Sequence, residues 1–205
     1  MSLLAFFAAA IVLAVTPGPG IAYVVARTVA GGRAEGLASC LGTAIGGMLH
    51  VAAAATGLSL VVAQSATAFV IVKVVGAGYL VYLGVRLLLQ KDRDAPSVAV
   101  AAQGPRRALL EGIVVESLNV KTALFFLAFL PQFVHATEAV VVQLVVLGTI
   151  CVALNALVDV AAVLGSARLL ASRAARAARE RLLRRTSGAT MVALGTLLAF
   201  SEREA

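Results

Sequence analysis

The sequence predicts an all-α membrane protein: six transmembrane helices in a 3+3 inverted repeat, with spans one and four interrupted. Apolar residues fill 61% of the 205 positions and charged residues only 13%, whereas soluble domains average about 45–50% and about 25%. The apolar residues form runs of roughly 20, the length that crosses a bilayer as a helix. These runs use nearly the whole chain, which predicts a single transmembrane domain over residues 1–205.

Six apolar runs are expected to form the spans, at about residues 3–25, 37–62, 66–89, 109–130, 139–167 and 186–200. Each is expected to be a helix, because a spanning segment must satisfy its own backbone hydrogen bonds. A polar linker over residues 90–107 separates repeat one, about residues 1–89, from repeat two, about residues 108–205. The first run has the length of a signal peptide, but no basic residue precedes it, so we interpret it as half of a retained span.

Loop charges predict the orientation. Lys and Arg lie in the first loop, in the linker and in the segment 168–185, whereas residues 63–66 and 131–138 contain none. The odd-numbered loops are therefore expected on the cytoplasmic side of the plasma membrane, with both termini outside. The segment 168–185 is predicted to be a basic helix on anionic lipid, attracted by about 1 kcal/mol per basic residue. Despite the net charge of +7, the absence of Trp and of a basic stretch with interleaved aromatic residues argues against nucleic acid.

A weak internal repeat supports the two halves. Lys73, Ala77-Gly78 and Leu83-Gly84 in span three match Arg184, Gly188-Ala189 and Leu194-Gly195 in span six at the same offsets. An odd number of spans per half makes the halves antiparallel, which is an inverted repeat.

Span one contains two helix-breaking pairs at mid-depth, Pro17-Gly18 and Pro19-Gly20. Each proline costs about 3 kcal/mol in a helix interior, because it removes a donor and clashes with the preceding turn. Carbonyl groups freed there cannot face lipid, so they must line protein or a wet cavity. A simple kink would need fewer such residues, and we therefore predict a site at Pro17, Gly18, Pro19 and Gly20.

Spans four and five contain polar residues at depth. Asn119 and Lys121 are expected to face the interior, whereas Glu116 is expected to reach the cytoplasmic surface by snorkelling. Asp159 would cost at least ~2.5–3.5 kcal/mol in lipid, so it should face a cavity or a partner. Asn155 lies one turn earlier on the same face, and Lys121 is a candidate counter-ion.

Other polar residues allow two interpretations. His50 could titrate near neutral pH in an ion pathway, or it could be a hydrogen-bonded packing residue. Lys73 could line the pathway or snorkel to the surface. The small-residue face of span two, which includes Gly42 and Gly46, would serve internal packing or a homodimer.

Enzymatic chemistry is not predicted. Cys40 and Cys151 lie far apart in apolar runs and are expected to be packing residues. No residues have metal-ligand spacing, and nothing resembles a nucleophilic triad or a phosphate loop, so no cofactor is expected.

The chain resembles the LysE/RhtB family of amino-acid exporters. The resemblance covers the chain in order, through Thr16-Pro17-Gly18-Pro19, Gly42 with Gly46 and His50, the segments 73–84 and 118–133, and Asp159 with Gly165. It implies a secondary exporter of amino acids or their derivatives, coupled to protons by antiport and working by alternating access. The unwound floor would be Pro17 to Gly20 with Asn119. Lys121 could then meet a substrate carboxylate, and Asp159 an ammonium group or the exchanged proton.

The chain departs from that family at two positions. The span-four signature is usually Asn-Pro-Lys, where this chain has Val120, which leaves open how sharply span four is broken. The family often has Tyr after the span-five Gly, where this chain has Ser166. Two alternatives to an amino-acid exporter have specific requirements. A membrane thiol or electron carrier of related architecture needs two thiols able to meet, and an inorganic-ion exporter needs a ligand cluster.

Overall fold

The computed structural model describes residues 3–58, 66–89, 101–135 and 139–169 and single positions between 185 and 200, and all regular elements in these ranges are helical. The α-helices are α1 (Leu3–Val15), α2 (Pro19–Ala53), α3 (Ala66–Leu89), α4 (Pro105–Ser117), α5 (Val120–Leu124) and α6 (Val140–Leu169). A π-helical turn, Ala54–Leu58, extends α2, and α5 continues through a second one, Phe125–Phe129, into the 3-10 turn Leu130–Phe133.

Long apolar helices identify a membrane protein. In the described ranges, Pro19–Gly57 and Val140–Gly165 are long and apolar enough to cross a bilayer, and Pro105–Ser117 with Val120–Phe133 makes a third if this bent pair is one span. The helix of span three, α3, has the predicted bounds, and that of span five, α6, differs from them by one or two residues. Leu3–Val15 is a shorter apolar helix. The Lys73 side chain, linker residues 90–100 and residues 170–184 lie outside the described residues.

The predicted interruption of span one is confirmed. α1 ends at Val15, and α2 begins at Pro19 after a break at Thr16, Pro17 and Gly18. Proline is tolerated as the first residue of α2, because the amide N–H that it lacks would have no hydrogen-bond partner within the helix at this position. Pro17 and Gly18 thus stop one helix, and Pro19 starts the next.

The loop expected between spans one and two is wrong in its extent. α2 runs through it and departs from helical geometry only at Gly32, whose φ is 75°. Glycine adopts this left-handed conformation without the steric cost of a side chain. The two halves of α2 then pack antiparallel, with Thr28 against Gly36 and Gly20 against Thr43. The second half of predicted span one and predicted span two therefore form one tight helical hairpin.

Span four is broken even without a proline. α4 starts at Pro105, so the linker ends three residues earlier than predicted, and α4 ends at Ser117. α5 starts at Val120 after a bend of 43° between the two helical segments. Residues 118 and 119 are not helical, which places the break at the predicted Asn119.

Close backbone approach holds α2 against α4. A Cβ at Gly46 would lie 2.7 Å from the Ile113 carbonyl oxygen and 2.8 Å from Glu116 Cβ. A Cβ at Gly112 would lie 2.9 Å from the carbonyl oxygen of Ser39. Small residues at such a crossing let two membrane helices meet backbone to backbone. The remaining apolar core is aromatic and aliphatic, and it includes Phe6, Leu13, Phe125, Phe126 and Leu144.

We predict that Gly46→Ala lowers the stability of the protein by about 1–3 kcal/mol, because the added methyl group overpacks the crossing of α2 and α4. Gly57→Ala is the matched control, since a Cβ there meets nothing within 4 Å. The measurement is the thermal melting midpoint of the detergent-purified variants. Equal midpoints for the two variants would contradict the close approach.

Candidate functional site

Both helix breaks border one central cavity. Its walls come from the break before α2, from both halves of α2, from the break between α4 and α5, and from α6. The space open to the centres of water molecules is about 30 Å³, room for roughly two waters and far below the ~300 Å³ at which ligand pockets begin. The polar side chains that line it are Thr16, Thr43, Glu116, Asn119, Lys121, Thr122, Asn155 and Asp159.

Five of the predicted site residues line this cavity: Gly20, Asn119, Lys121, Asn155 and Asp159. Pro17, Gly18 and Pro19 form the adjoining break and start of α2. His50 does not line the cavity, but its Nε2 lies 2.9 Å from the Glu116 carbonyl oxygen. The structure thus brings most of the predicted residues together.

Lys121 joins the two interrupted spans. Its Nζ donates to the carbonyl oxygens of Leu13 at 3.1 Å and Thr16 at 2.7 Å. These oxygens lie at the C-terminal end of α1, where a helix leaves its carbonyl groups without partners. The side chain passes over Gly18, where a Cβ would lie 3.1 Å from Lys121 Cε. Lys121 therefore bonds freed carbonyl groups here and makes no ion pair with Asp159.

Glu116 was expected to reach the membrane surface, and the structure shows otherwise. It is only 8% exposed and lines the cavity. Its Oε2 accepts a hydrogen bond from Asn119 Nδ2 at 2.9 Å, and its Oε1 accepts one from Thr122 Oγ1 at 2.6 Å. Gly20 packs directly against this carboxylate, since a Cβ there would lie 2.5 Å from Oε2. The three-residue spacing of Glu116 and Asn119 was the signal in the sequence.

Asp159 is 6% exposed, and only one of its carboxylate oxygens has a hydrogen-bond partner among the described residues. Thr43 Oγ1 lies 3.0 Å from Oδ2 and 2.9 Å from the Cys40 carbonyl oxygen. Among the described residues, Oδ1 has no hydrogen-bond partner. Asn155, one turn earlier, donates from Nδ2 to the Cys151 carbonyl oxygen at 2.9 Å. Sequence reasoning missed Thr43, because only the antiparallel packing of α2 and α6 brings it to Asp159.

Asn119 caps the helix that follows the second break. Its backbone is extended, with φ −74° and ψ 100°, and its Oδ1 accepts the Lys121 amide at 3.1 Å. A side-chain oxygen at this position satisfies an amide that the first turn of a helix leaves free. The Asn119 side chain thus caps α5 through its oxygen and donates to Glu116 through its nitrogen.

Comparison with known proteins identifies the family. A family model for LysE type translocators matches residues 11–202. The chain belongs to the LysE-type translocator family. This confirms the family that the motifs predicted.

Relatives of this translocator are membrane and efflux proteins. An uncharacterized membrane protein of Vibrio cholerae is 34% identical over 159 residues, which cover 76% of each chain. A leucine efflux protein of Salmonella typhimurium is 29% identical over 133 residues, 64% of this chain and 63% of that protein. A homoserine/homoserine lactone efflux protein of the same species is 26% identical over 154 residues, 75% of each chain. No solved structure matches the chain significantly.

The translocator's Val120 occupies a position that would accept the family's proline. Val120 is the first residue of α5, where an amide has no partner inside the helix. Asn119 already has the extended conformation that a residue before proline requires. The Val120 side chain is 42% exposed, so its loss removes little packing. The Asn119 cap therefore makes the break that a proline would otherwise enforce.

We predict that Val120→Pro in the translocator changes stability by less than about 1 kcal/mol, because the native backbone already suits proline. The control is Ala123→Pro, which removes the 2.9 Å bond from the Ala123 amide to the Asn119 carbonyl oxygen and should cost about 3 kcal/mol or more. Thermal melting in detergent and the amount of protein in the membrane would check both. Equal damage from the two prolines would refute the assigned backbone geometry.

Proposed function

We propose that this translocator exports amino acids or their derivatives across the plasma membrane, by proton antiport and by alternating access to the central cavity. One observation carries the proposal: Glu116, Lys121 and Asp159 converge on one cavity where both spans are broken. Ionisable groups at membrane depth are expensive and mark substrate or ion pathways. The efflux names of two relatives supply the direction and the class of substrate.

The hydrogen bonds suggest separate roles for the three charged groups. Both carboxylate oxygens of Glu116 accept hydrogen bonds from the protein, which supports a positioning role. Asp159 keeps Oδ1 for a substrate ammonium group or a proton. Lys121 uses two of its three donors on carbonyl groups, so one donor is left for a substrate carboxylate. The N-terminal end of α2, which favours anions, adjoins the same cavity.

Contacts between spans three and six support a six-span inverted repeat. A Cβ at Gly84 would lie 2.6 Å from the Gly188 carbonyl oxygen, and one at Gly195 would lie 2.7 Å from that of Ala77. Gly84 and Gly195 have equivalent places in the repeated motif, as do Ala77 and Gly188. The two contacts therefore exchange under a two-fold axis, as an inverted repeat requires.

Further proposals rest on the sequence alone. Loop charges place both termini outside and the linker 90–107 in the cytoplasm. Binding of lipid by residues 168–185 stays a prediction. Gly42 and Gly46 of the small-residue face of span two pack against α4 of the same chain, which favours internal packing over a homodimer through this face. Alternating access agrees with the small cavity, because an amino acid enters only after one side of the bundle opens.

The thiol-carrier alternative is disfavoured by the places of the two cysteines. Cys40 is a buried free thiol that packs with Val24 and Val163, whereas Cys151 is a buried free thiol in the main core. We predict that Cys151→Ala leaves efflux within about twofold of wild type, since it removes only a few atoms of packing. Efflux assays on cells with matched protein levels would check this. Complete loss of activity at wild-type protein levels would revive a role for the thiol.

The proposed function is tested by loading cells with single amino acids as dipeptides and measuring how fast each amino acid leaves. We expect faster exit of at least one amino acid, and Asp159→Asn should lower its apparent affinity about tenfold or more, since a bond to a charged group is lost. Thr43→Val is the comparison, because it keeps the carboxylate. No stimulated efflux over a broad panel would overturn the function. Asp159→Asn with wild-type rate and pH dependence would overturn the proton role, and an unchanged apparent affinity would overturn the substrate-binding role of Asp159, but neither result would overturn the export function.

A further inference from the structure

A thin apolar layer closes the cavity on the side of the Gly32 turn. Val24, Cys40 and Val163 are buried and form a small cluster apart from the main core. Each lies three or four positions from a cavity-lining residue of its own helix, in the direction of the turn. The cluster is therefore one helical turn thick. The other side is closed by the much larger core around Phe6, Leu13 and the phenylalanines of residues 125–129.

A polar layer follows beyond that cluster. Arg27 and Glu35, each 3% exposed, face each other across the hairpin, with 3.5 Å between Nη1 and Oε2. Glu35 Oε1 accepts two backbone hydrogen bonds of 2.7 Å, from the amides of Gln103 and Gly104. Gly104 immediately precedes α4. One carboxylate thus joins the hairpin of the first half to the start of span four in the second.

The ion pair is incompletely satisfied. Arg27 Nε and Nη1 and Glu35 Oε2 are buried without hydrogen-bond partners in the described structure. A buried pair repays its desolvation only when further hydrogen bonds complete it. Such a pair adds little to stability, and it can separate more readily than a fully bonded one.

Neighbouring contacts strengthen the same junction. The Tyr23 hydroxyl donates to the Ala108 carbonyl oxygen at 3.0 Å, and Gln103 Nε2 donates to Glu111 Oε2 at 2.6 Å. The first bond joins the hairpin to α4, and the second joins the end of the linker to α4. None of these residues lines the cavity.

We propose that Glu35, with Arg27 and the amides of Gln103 and Gly104, forms the gate that closes the transport cavity towards the hairpin turn. Separation of Glu35 from these amides lets α4 move away from the hairpin and exposes the layer of Val24, Cys40 and Val163. This inference rests on the proposed function, and it adds which contacts break when the cavity opens on that side. By the loop charges, that side is cytoplasmic.

Cys40 serves as a native reporter of the gate. Inside-out membrane vesicles are treated with a membrane-impermeant maleimide, and the labelling rate is measured by mass spectrometry. Glu35→Ala should raise the rate at Cys40 about tenfold, because two bonds to a charged group are lost. Arg107→Gln is the matched control, since it removes a charge from the exposed pair of Arg107 with Glu111 at the same end. A Cys40→Ala variant verifies the labelled position.

Arg27→Gln provides a second variant, because it removes the ion pair and keeps the backbone bonds of Glu35, and it should give a smaller rise. Labelling of Cys151 monitors unfolding, since Cys151 lies in the main core. Equal Cys40 rates for wild type and both folded variants would overturn the gate. Labelling does not depend on efflux, so absence of efflux from wild-type cells overturns the proposed function separately. A reversible cross-link between Glu35→Cys and Gln103→Cys should stop efflux until it is reduced, and unchanged efflux after complete cross-linking would also overturn the gate.

Discussion

The bonds from Lys121 Nζ to the carbonyl oxygens of Leu13 and Thr16 connect the two interrupted spans, and the central site is built around them. In a bilayer, a broken helix has no water to satisfy the carbonyl groups that it frees. A buried ammonium group has the matching need for acceptors. The break in span one supplies the acceptors, and the break in span four brings the ammonium group to them. Each break therefore satisfies a polar group that the other would leave exposed.

Local chemistry explains what the sequence predicted well. Two prolines and two glycines within residues 17–20 strongly disfavour a continuous helix, so the break after Val15 could be located from residues alone. The uniform apolar run of α3 likewise fixed its bounds. By contrast, the burial of Glu116 depends on a bend of 43° that no proline near the bend indicates in the sequence. The hairpin at Gly32 depends on the packing of Thr28 against Gly36, which the Gly31-Gly32 pair in a polar stretch does not reveal.

The charged residues of the cavity differ in how completely the protein satisfies them. Glu116 is bonded at both oxygens by residues of its own broken span. Asp159 is bonded at one oxygen, by a residue of another span. Such a difference is not visible in residue type or depth, since both are carboxylates in apolar surroundings. It arises because Asn119 and Thr122 follow Glu116 by three and six residues in the same broken span, whereas none of the described side chains of α6 donates to Asp159.

The single non-helical residue at Gly32 also limits how the bundle can move. Because only Gly32 departs from helical geometry at the turn, the two halves of α2 cannot separate there without unwinding a helix. The hairpin therefore moves as one unit. Under the proposed gate, that end of the cavity opens when α4 tilts away from the hairpin, with the glycine crossing near Gly46 as the pivot. The small residues at the crossing of α2 and α4 would then be the contact about which the two halves of the chain rotate.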